Sequence, residues 1–311
     1  MNKVEILELK PTFIKFVLND VDVSLANALR RVMIAEVPTL AVDIVEIEVN
    51  TSCLHDDFLA HRIGLVPLRF KGDMKEISFQ RECICDTSGH CSKCTVELVL
   101  HEKCAGGGGE QGTDAMGVTS NHLKDTTERV RAAQEELGYE MLAHQDASIR
   151  LAKLRAGQEI KLKALAVKGT GQEHTKWSPV ATAVFAHDPV VRLNEEKLKA
   201  LTGEQKAKLC QSCPAQVFKV DDVTQDIEVA HEKACMFCDE CVKVGETFKT
   251  HSLDDNVVSV SHEPRRFIFS VETTGSLDPG KVVQEALIVL EDKVQDFANK
   301  CVVIAESAAD A

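Results

Sequence analysis

The stretch Ser24–Ser52, SLANALRRVMIAEVPTLAVDIVEIEVNTS, decides the reading of the fold because its hydrophobic period changes halfway along. In the first half, Leu25, Ala28, Leu29, Val32 and Met33 recur at helical spacing and share one face. Asp22 and Ser24 stand where a side-chain oxygen can cap the first free amides, and Pro38 lies just past the end. From Ala41 to Val49 the pattern becomes that of a strand, with Val42, Ile44, Val45, Ile47 and Val49 as its apolar set.

Upstream of this unit, residues 3–10 and 13–18 read as two short strands joined by a turn at Pro11. The far end of the chain mirrors the near one. Phe267–Glu272 reads as a strand with Phe267, Phe269 and Val271 on one face. Asp278 and Pro279 then open a helix, Pro occupying the first helical position, and the helix is expected to run to about Cys301. Its apolar set is wide: Val282, Val283, Ala286, Leu287, Val289, Leu290, Val294 and Phe297. That is more than one sheet needs to cover it. Such a helix is either deeply buried in its own core or packs on another chain as well.

With 311 residues the chain has room for two or three domains. No run of apolar residues approaches the length of a membrane span. MNKVEILELK at the start lacks the apolar core and small-residue cleavage site of a secretory signal, so an intracellular, reducing compartment is expected. The net charge is −13 and no run of Lys and Arg occurs, so no direct grip on nucleic acid is expected.

Twelve cysteines matter more than the overall charge, because in a reducing compartment clustered thiols point to metal and not to disulfides. Cys83-x-Cys85-x5-Cys91-x2-Cys94 has the spacing of a four-thiolate zinc site, which leaves no open position for water and is therefore structural. His90 is the one alternative ligand beside it, in place of Cys91. A second set comprises Cys210-x2-Cys213-Pro214 and Cys235-x2-Cys238-x2-Cys241. Two-cluster ferredoxins repeat Cys-x2-Cys-x2-Cys-x3-Cys-Pro, and the last Cys of each run ligates the other run's cluster. By that rule Cys213, Cys235, Cys238 and Cys241 hold one 4Fe-4S cluster and Cys210 is spare. The other cluster would need thiols at Gly203, Lys206, Leu209 and Gly245, and all four are absent. A zinc ribbon using Cys210, Cys213, Cys235 and Cys238 is the competing reading. Cys53, Cys104 and Cys301 are isolated and are expected to be buried as small apolar residues.

Between the ends, Thr127–Leu137 is expected to be helical and Arg150–Val167 to form paired strands around Gly157. The glycine-rich run Ala105–Gly112 lacks the strand–helix setting of a phosphate loop and reads as a surface loop, and Gly169-Thr170-Gly171 reads as a turn. His55, Asp56 and Asp57 have no nucleophile pattern nearby and read as a structural turn, and Trp177 reads as a core anchor.

Four segments together resemble the alpha-type subunits of DNA-dependent RNA polymerase: Ser24–Ser52, His55-DDFLAHRIGLVPL, Lys168-GTGQEHTKWSPVATA and Val271-ETTGSLDP. They cover both ends and much of the middle, and the segments at 55–68 and 169–179 are specific to that family. The first cysteine set resembles the zinc loop of the third-largest subunit of eukaryotic polymerase II. The second resembles the ferredoxin-like insert of that subunit's archaeal counterpart. The resemblance implies an α+β fold in three parts. Residues 1–48 and 254–311 would make a split alpha-type dimerisation domain, 49–190 an inserted mainly-β domain with the zinc loop, and 191–250 a small ferredoxin-like α+β insert. It implies a non-catalytic assembly subunit in the nucleus that pairs with a smaller alpha-like subunit. The second-largest and largest subunits, with small zinc-binding subunits, would then gather on the pair. Arg30 and Arg31 match the family stretch that approaches the second-largest subunit; each is equally well a charge on a solvated helix face. The archaeal-type counterpart, the polymerase I/III equivalent and, from another class, a ferredoxin-like electron carrier are the alternatives.

Overall fold

Pro11 turns the chain as its sequence requires: β1 (Val4–Lys10) and β2 (Phe13–Asn19) flank it. The computed structural model describes residues 3–85, 90–105, 115–125, 129–132, 148–221, 226–248 and 256–309. The architecture is mixed α+β, with six α-helices and several sheets among the described residues. Helix α1 (Val23–Ala35) runs into β3 (Thr39–Asn50). Two long strands, β11 (Val180–Leu193) and β14 (Val258–Thr273), complete a four-stranded sheet in the order β1-β2-β14-β11. The chain forms two compact units, one of Met1–Glu5, Phe16–Val23 and Phe185–Phe269, the other of Ile6–Lys15, Ser24–Val184 and Ser270–Ala311.

The larger unit is built on a sheet of β3, β10 (Glu159–Gly169), β5 (Thr95–Lys103) and β7 (Lys124–Asp125). Antiparallel pairing sets Leu162 against Ile47 and Leu100, and Val167 against Thr95. The buried face carries Leu40, Val42, Leu98, Leu100, Leu162 and Ala164, and α2 (Asp56–Gly64) covers it with Leu59 and Ile63. His55 caps α2: its Nδ1 accepts the Asp57 amide at 3.3 Å. Asp56 and Asp57 in the first turn and His61 and Arg62 in the last complement the helix dipole. The His-Asp-Asp segment is therefore a helix start and not a simple turn.

The smaller unit contains α3 (Glu195–Ala200), α4 (Gly203–Gln211), the hairpin of β12 (Phe218–Val220) and β13 (Ile227–Val229), and α5 (Glu240–Glu246). Thr202 and Gln205 form a reciprocal capping box at the start of α4. Leu198, Leu209, Val217, Phe218, Ile227, Val257 and Val258 fill its core.

Several expectations need correction. Val130–Ala132, expected to be helical, is strand β8; it pairs with β4 (Leu68–Phe70), Phe70 opposite Val130 and Leu68 opposite Ala132. Burial of Val130 and Ala132 in the main core outweighs their local helical pattern. Residues 127, 128 and 133–137 of that expected helix lie outside the described residues, as does most of the glycine-rich run. Arg150–Val167 does form strands around Gly157, which has φ +79°, but they do not pair with each other. β9 (Arg150–Arg155) pairs with β6 (Ala115–Thr119), while β10 pairs with β3 and β5. On α1 the buried stripe is Ala26, Leu29, Val32 and Met33, and Leu25 is exposed. Cys53 and Cys301 are exposed and Cys104 is half-buried, because Cys53 sits in a surface turn and Cys301 on an uncovered helix.

Gly169-Thr170-Gly171 is the expected turn, and its glycines are there for space. Trp177 is buried against Ala41 and Val167, and its Nε1 donates to the Val167 carbonyl at 3.0 Å. A Cβ on Gly169 would lie 2.5 Å from the indole, and one on Gly171 would lie 2.3 Å from the Ile34 carbonyl oxygen. The second contact is with backbone, which cannot rotate away. Gly171→Ala is therefore expected to destabilise the protein by about 1–3 kcal/mol through overpacking. A denaturant melt shows this as a lower midpoint at unchanged slope; an unchanged midpoint refutes it.

Candidate functional site

The first four thiols are gathered by short-range backbone geometry. A single 3-10 turn, Gln80–Glu82, leads into Cys83, whose amide donates to the Phe79 carbonyl at 3.0 Å. On the other arm the amides of Cys94 and Thr95 both donate to the Cys91 carbonyl, at 3.1 and 2.9 Å, a tight turn that starts β5. The four sulfurs all lie within 4.8 Å of one another. Individual separations are 3.5 Å for Cys83–Cys91 and for Cys85–Cys91, 3.4 Å for Cys85–Cys94 and 3.7 Å for Cys91–Cys94. Four sulfurs placed 2.3 Å from a central zinc stand about 3.8 Å apart, so the cage fits that ion. His90 is outside the group: its Nδ1 lies 3.5 Å from the Thr95 hydroxyl.

Electrostatics in this cage favour a bound cation. The Lys93 backbone amide, with help from the Cys85 and Cys83 thiols, pulls Cys91 down to about 7. The neighbouring Cys83, Cys94 and Cys91 sulfurs push Cys85 upward. Four thiols at van der Waals contact cannot all ionise unless a positive ion neutralises them.

The second thiol set is arranged differently. Cys213, Cys235, Cys238 and Cys241 line one pocket with Val191, Val217, Phe218 and Val260, and Cys210 does not line it. Cys210 is half-buried near the end of α4. Burial pushes the Cys241 thiol up to about 11 and also raises Cys235 and Cys210. Among the described residues, only the first set brings three or more ligand atoms together at single-ion distance. The loop around the pocket is bent by three non-glycine residues in the left-handed region, Gln216, Phe237 and Asp239, at φ 52°, 55° and 58°. Such conformations are costly and persist where the surrounding structure demands them. Leu209 and Gly245, at positions where a second cluster would need thiols, are buried, Leu209 in the unit's apolar core.

A third feature is an uncovered helix. α6 (Pro279–Ala309) has 31 residues and extends past the expected end at Cys301. Val282 and Ala286 are buried, but every residue from Glu291 to Val302 is exposed. Leu287, Val294, Phe297 and Val302 are among the large apolar side chains left exposed. Val283, Leu287, Leu290, Val294, Phe297 and Cys301 follow one another at alternating steps of four and three, the spacing of a helix–helix seam. Lys293 holds both oxygens of Glu36 at 2.8 Å, tying α6 to the chain segment just after α1. Arg30 bonds the Asn27 side chain at 2.9 Å, and Arg31 is exposed. No helix of the described residues is long and apolar enough to cross a membrane.

The matching family model, described as the RNA polymerase Rpb3/Rpb11 dimerisation domain, spans residues 15–294. The chain is 40% identical to the DNA-directed RNA polymerases II, IV and V subunit 3 of Arabidopsis thaliana, covering 94% of this chain and 89% of that protein. It is 38% identical to the DNA-directed RNA polymerase II subunit rpb3 of Dictyostelium discoideum, covering 96% and 94%. Similarity to the DNA-directed RNA polymerase subunit Rpo3 of Methanosphaera stadtmanae is lower, 31% over 95% and 97%. With a match across nearly the whole chain, and with α1 and α6 at the two ends of the matched region, the chain belongs to the RNA polymerase Rpb3/Rpb11 dimerisation-domain family.

Proposed function

We propose that this chain is the third-largest, alpha-like subunit of RNA polymerase II: a non-catalytic assembly subunit, with catalysis residing in the large subunits. The observation that carries the reading is the uncovered seam of α6, a run of apolar side chains at helix-pairing spacing. An apolar seam of this kind is a partner surface. A smaller alpha-like subunit covers it, and the pair serves as the platform for the second-largest and largest subunits and small zinc-binding subunits in the nucleus. The ends of the chain, 1–48 and 254–311, act as the dimerisation part; 49–190 is the middle domain with the zinc loop; 191–250 is the ferredoxin-like insert.

Zinc at Cys83, Cys85, Cys91 and Cys94 is supported by the tetrahedral spacing of the sulfurs. A 4Fe-4S cluster at Cys213, Cys235, Cys238 and Cys241 is supported by a pocket lined by those four thiols and not by Cys210. Neither group has a redox part in RNA synthesis; each braces a loop. An electron carrier of ferredoxin type would account for the second thiol set alone.

Purification of the tagged chain from its native cells tests the reading. A smaller alpha-like subunit and the large polymerase subunits are expected to co-purify, with one zinc per chain at the first site. Recovery of the chain as a stable monomer free of polymerase subunits refutes it.

A further inference from the structure

Lys168 makes contacts that nothing in the metal chemistry calls for. It is the penultimate residue of β10, one step past Val167, which pairs with Thr95 next to Cys94. Its Nζ donates to two backbone carbonyls, Met74 at 2.8 Å and Ile77 at 2.9 Å. The same ammonium lies 4.8 Å from the centre of the Phe79 ring, and the Arg81 guanidinium lies 5.0 Å from that ring. Met74 to Arg81 is the arm that leads into Cys83. Ser78 then ties this arm to the other one, its amide donating to the Lys93 carbonyl at 2.9 Å. The returning arm is already fixed to β10 by the strand pairing of β5. The leading arm has no strand of its own; its regular structure is two single 3-10 turns, Met74–Glu76 and Gln80–Glu82.

Burial disfavours the charge on Lys168, opposed by Glu82, Asp73 and Glu285. A half-buried ammonium is kept only where its donors are used and a ring face receives it. Here the two carbonyls and the ring all belong to one loop arm.

We infer that Lys168 is the positioning residue of the zinc loop: its ammonium pins the Met74–Phe79 arm to β10 and so holds Cys83 and Cys85 in the cage. This rests on the zinc reading of the four thiols. Ligand-orienting groups outside the metal's own shell control how readily the ion leaves. Lys176 offers an internal control. Its Nζ also bonds a backbone carbonyl, Val42 at 3.0 Å, with Asp43 at 2.6 Å and the Trp177 ring at 4.3 Å, but none of these belongs to the loop.

The test is zinc release from the purified heterodimer to an excess of a chelating dye. Wild type, Lys168→Met, Lys168→Arg and Lys176→Met are compared at equal starting zinc. Lys168→Met is expected to release zinc about tenfold faster or more. Lys168→Arg, which keeps the charge and the donors, is expected to recover most of the wild-type rate. Lys176→Met is expected to leave the rate unchanged. Equal rates for wild type and Lys168→Met overturn the inference while leaving the zinc site intact. Equal acceleration by Lys176→Met also overturns it, since the effect is then general loosening. A wild-type protein without zinc refutes the metal reading itself, and the inference with it. Where Lys168→Met does not accumulate, Phe79→Leu removes the ring and leaves the lysine; faster release supports the inference and an unchanged rate overturns it.

Discussion

Val294→Asp and Phe297→Asp are each expected to abolish pairing with the smaller alpha-like subunit while leaving the fold of this chain intact. Both side chains are largely exposed, 69% and 70%, so a carboxylate there stays hydrated in the isolated chain. Exposed helix substitutions of this kind change stability by only about half a kcal/mol. In the heterodimer the same positions sit on the seam that runs from Val283 to Cys301. A carboxylate buried there without a partner costs roughly 3–5 kcal/mol. That is a loss of about two to three and a half orders of magnitude in affinity. Gln295 lies beside Val294 but off the seam, and Gln295→Glu is expected to pair normally. Light scattering of the co-expressed pair separates the outcomes: the two Asp variants elute without partner, wild type and Gln295→Glu with it. Wild-type affinity in Val294→Asp would place the partner elsewhere on the molecule. Alone, the wild-type chain is expected to self-associate through the same seam.

The parts of the fold that were legible in the sequence are those where one short-range rule acts alone. Pro11 ends a strand, Pro279 opens a helix, and the change of period after Pro38 marks where α1 gives way to β3. Legibility fails where a distant partner decides. Val130–Ala132 has no reason within its own neighbourhood to be extended; Leu68 and Phe70, some sixty residues upstream, supply the ladder. β9 and β10 flank a turn at Gly157, which suggests a hairpin, yet β3 and β5 take both edges of β10. Leu25 fits the helical stripe but stands at its rim, because the buried stripe is centred on Ala26, Leu29 and Met33.

The thiol sites follow the same logic. Cys83 to Cys94 lie within one short loop, so sequence spacing constrains them strongly and the four sulfurs do converge. Lys168 is some eighty-five residues beyond the first of these cysteines, and nothing in its own segment announces its role at Met74 and Ile77. For the second set, the ferredoxin spacing treats Leu209 and Gly245 as lost ligands. Both positions are buried, Leu209 among the apolar side chains of the unit's core.

Cys241→Ser is expected to empty the second thiol site, and Cys210→Ser is expected to leave it full. Cys241 is buried, lines the pocket and has neighbouring thiols at Cys213, Cys235 and Cys238. Cys210 stands outside the lining near the end of α4. In the cluster reading, the loop from Cys235 to Cys241 supplies three corners of the cube and Cys213, stiffened by Pro214, closes the fourth. Loss of one corner leaves a three-iron form at best. Anaerobically purified Cys241→Ser should therefore be colourless or reduced to about three irons per chain, whereas Cys210→Ser should keep wild-type colour, iron and sulfide. A zinc ribbon reverses the pattern, because it needs Cys210 and can spare Cys241. Metal binding at such a site is also folding energy. Cys213 and Cys241 lie in one apolar cluster with Leu209, Val217 and Phe218, so an emptied site should lower the protease resistance of residues 191–250 in Cys241→Ser and not in Cys210→Ser. Stoichiometric zinc with no iron in the wild-type protein, lost on Cys210→Ser, would replace the cluster with a ribbon.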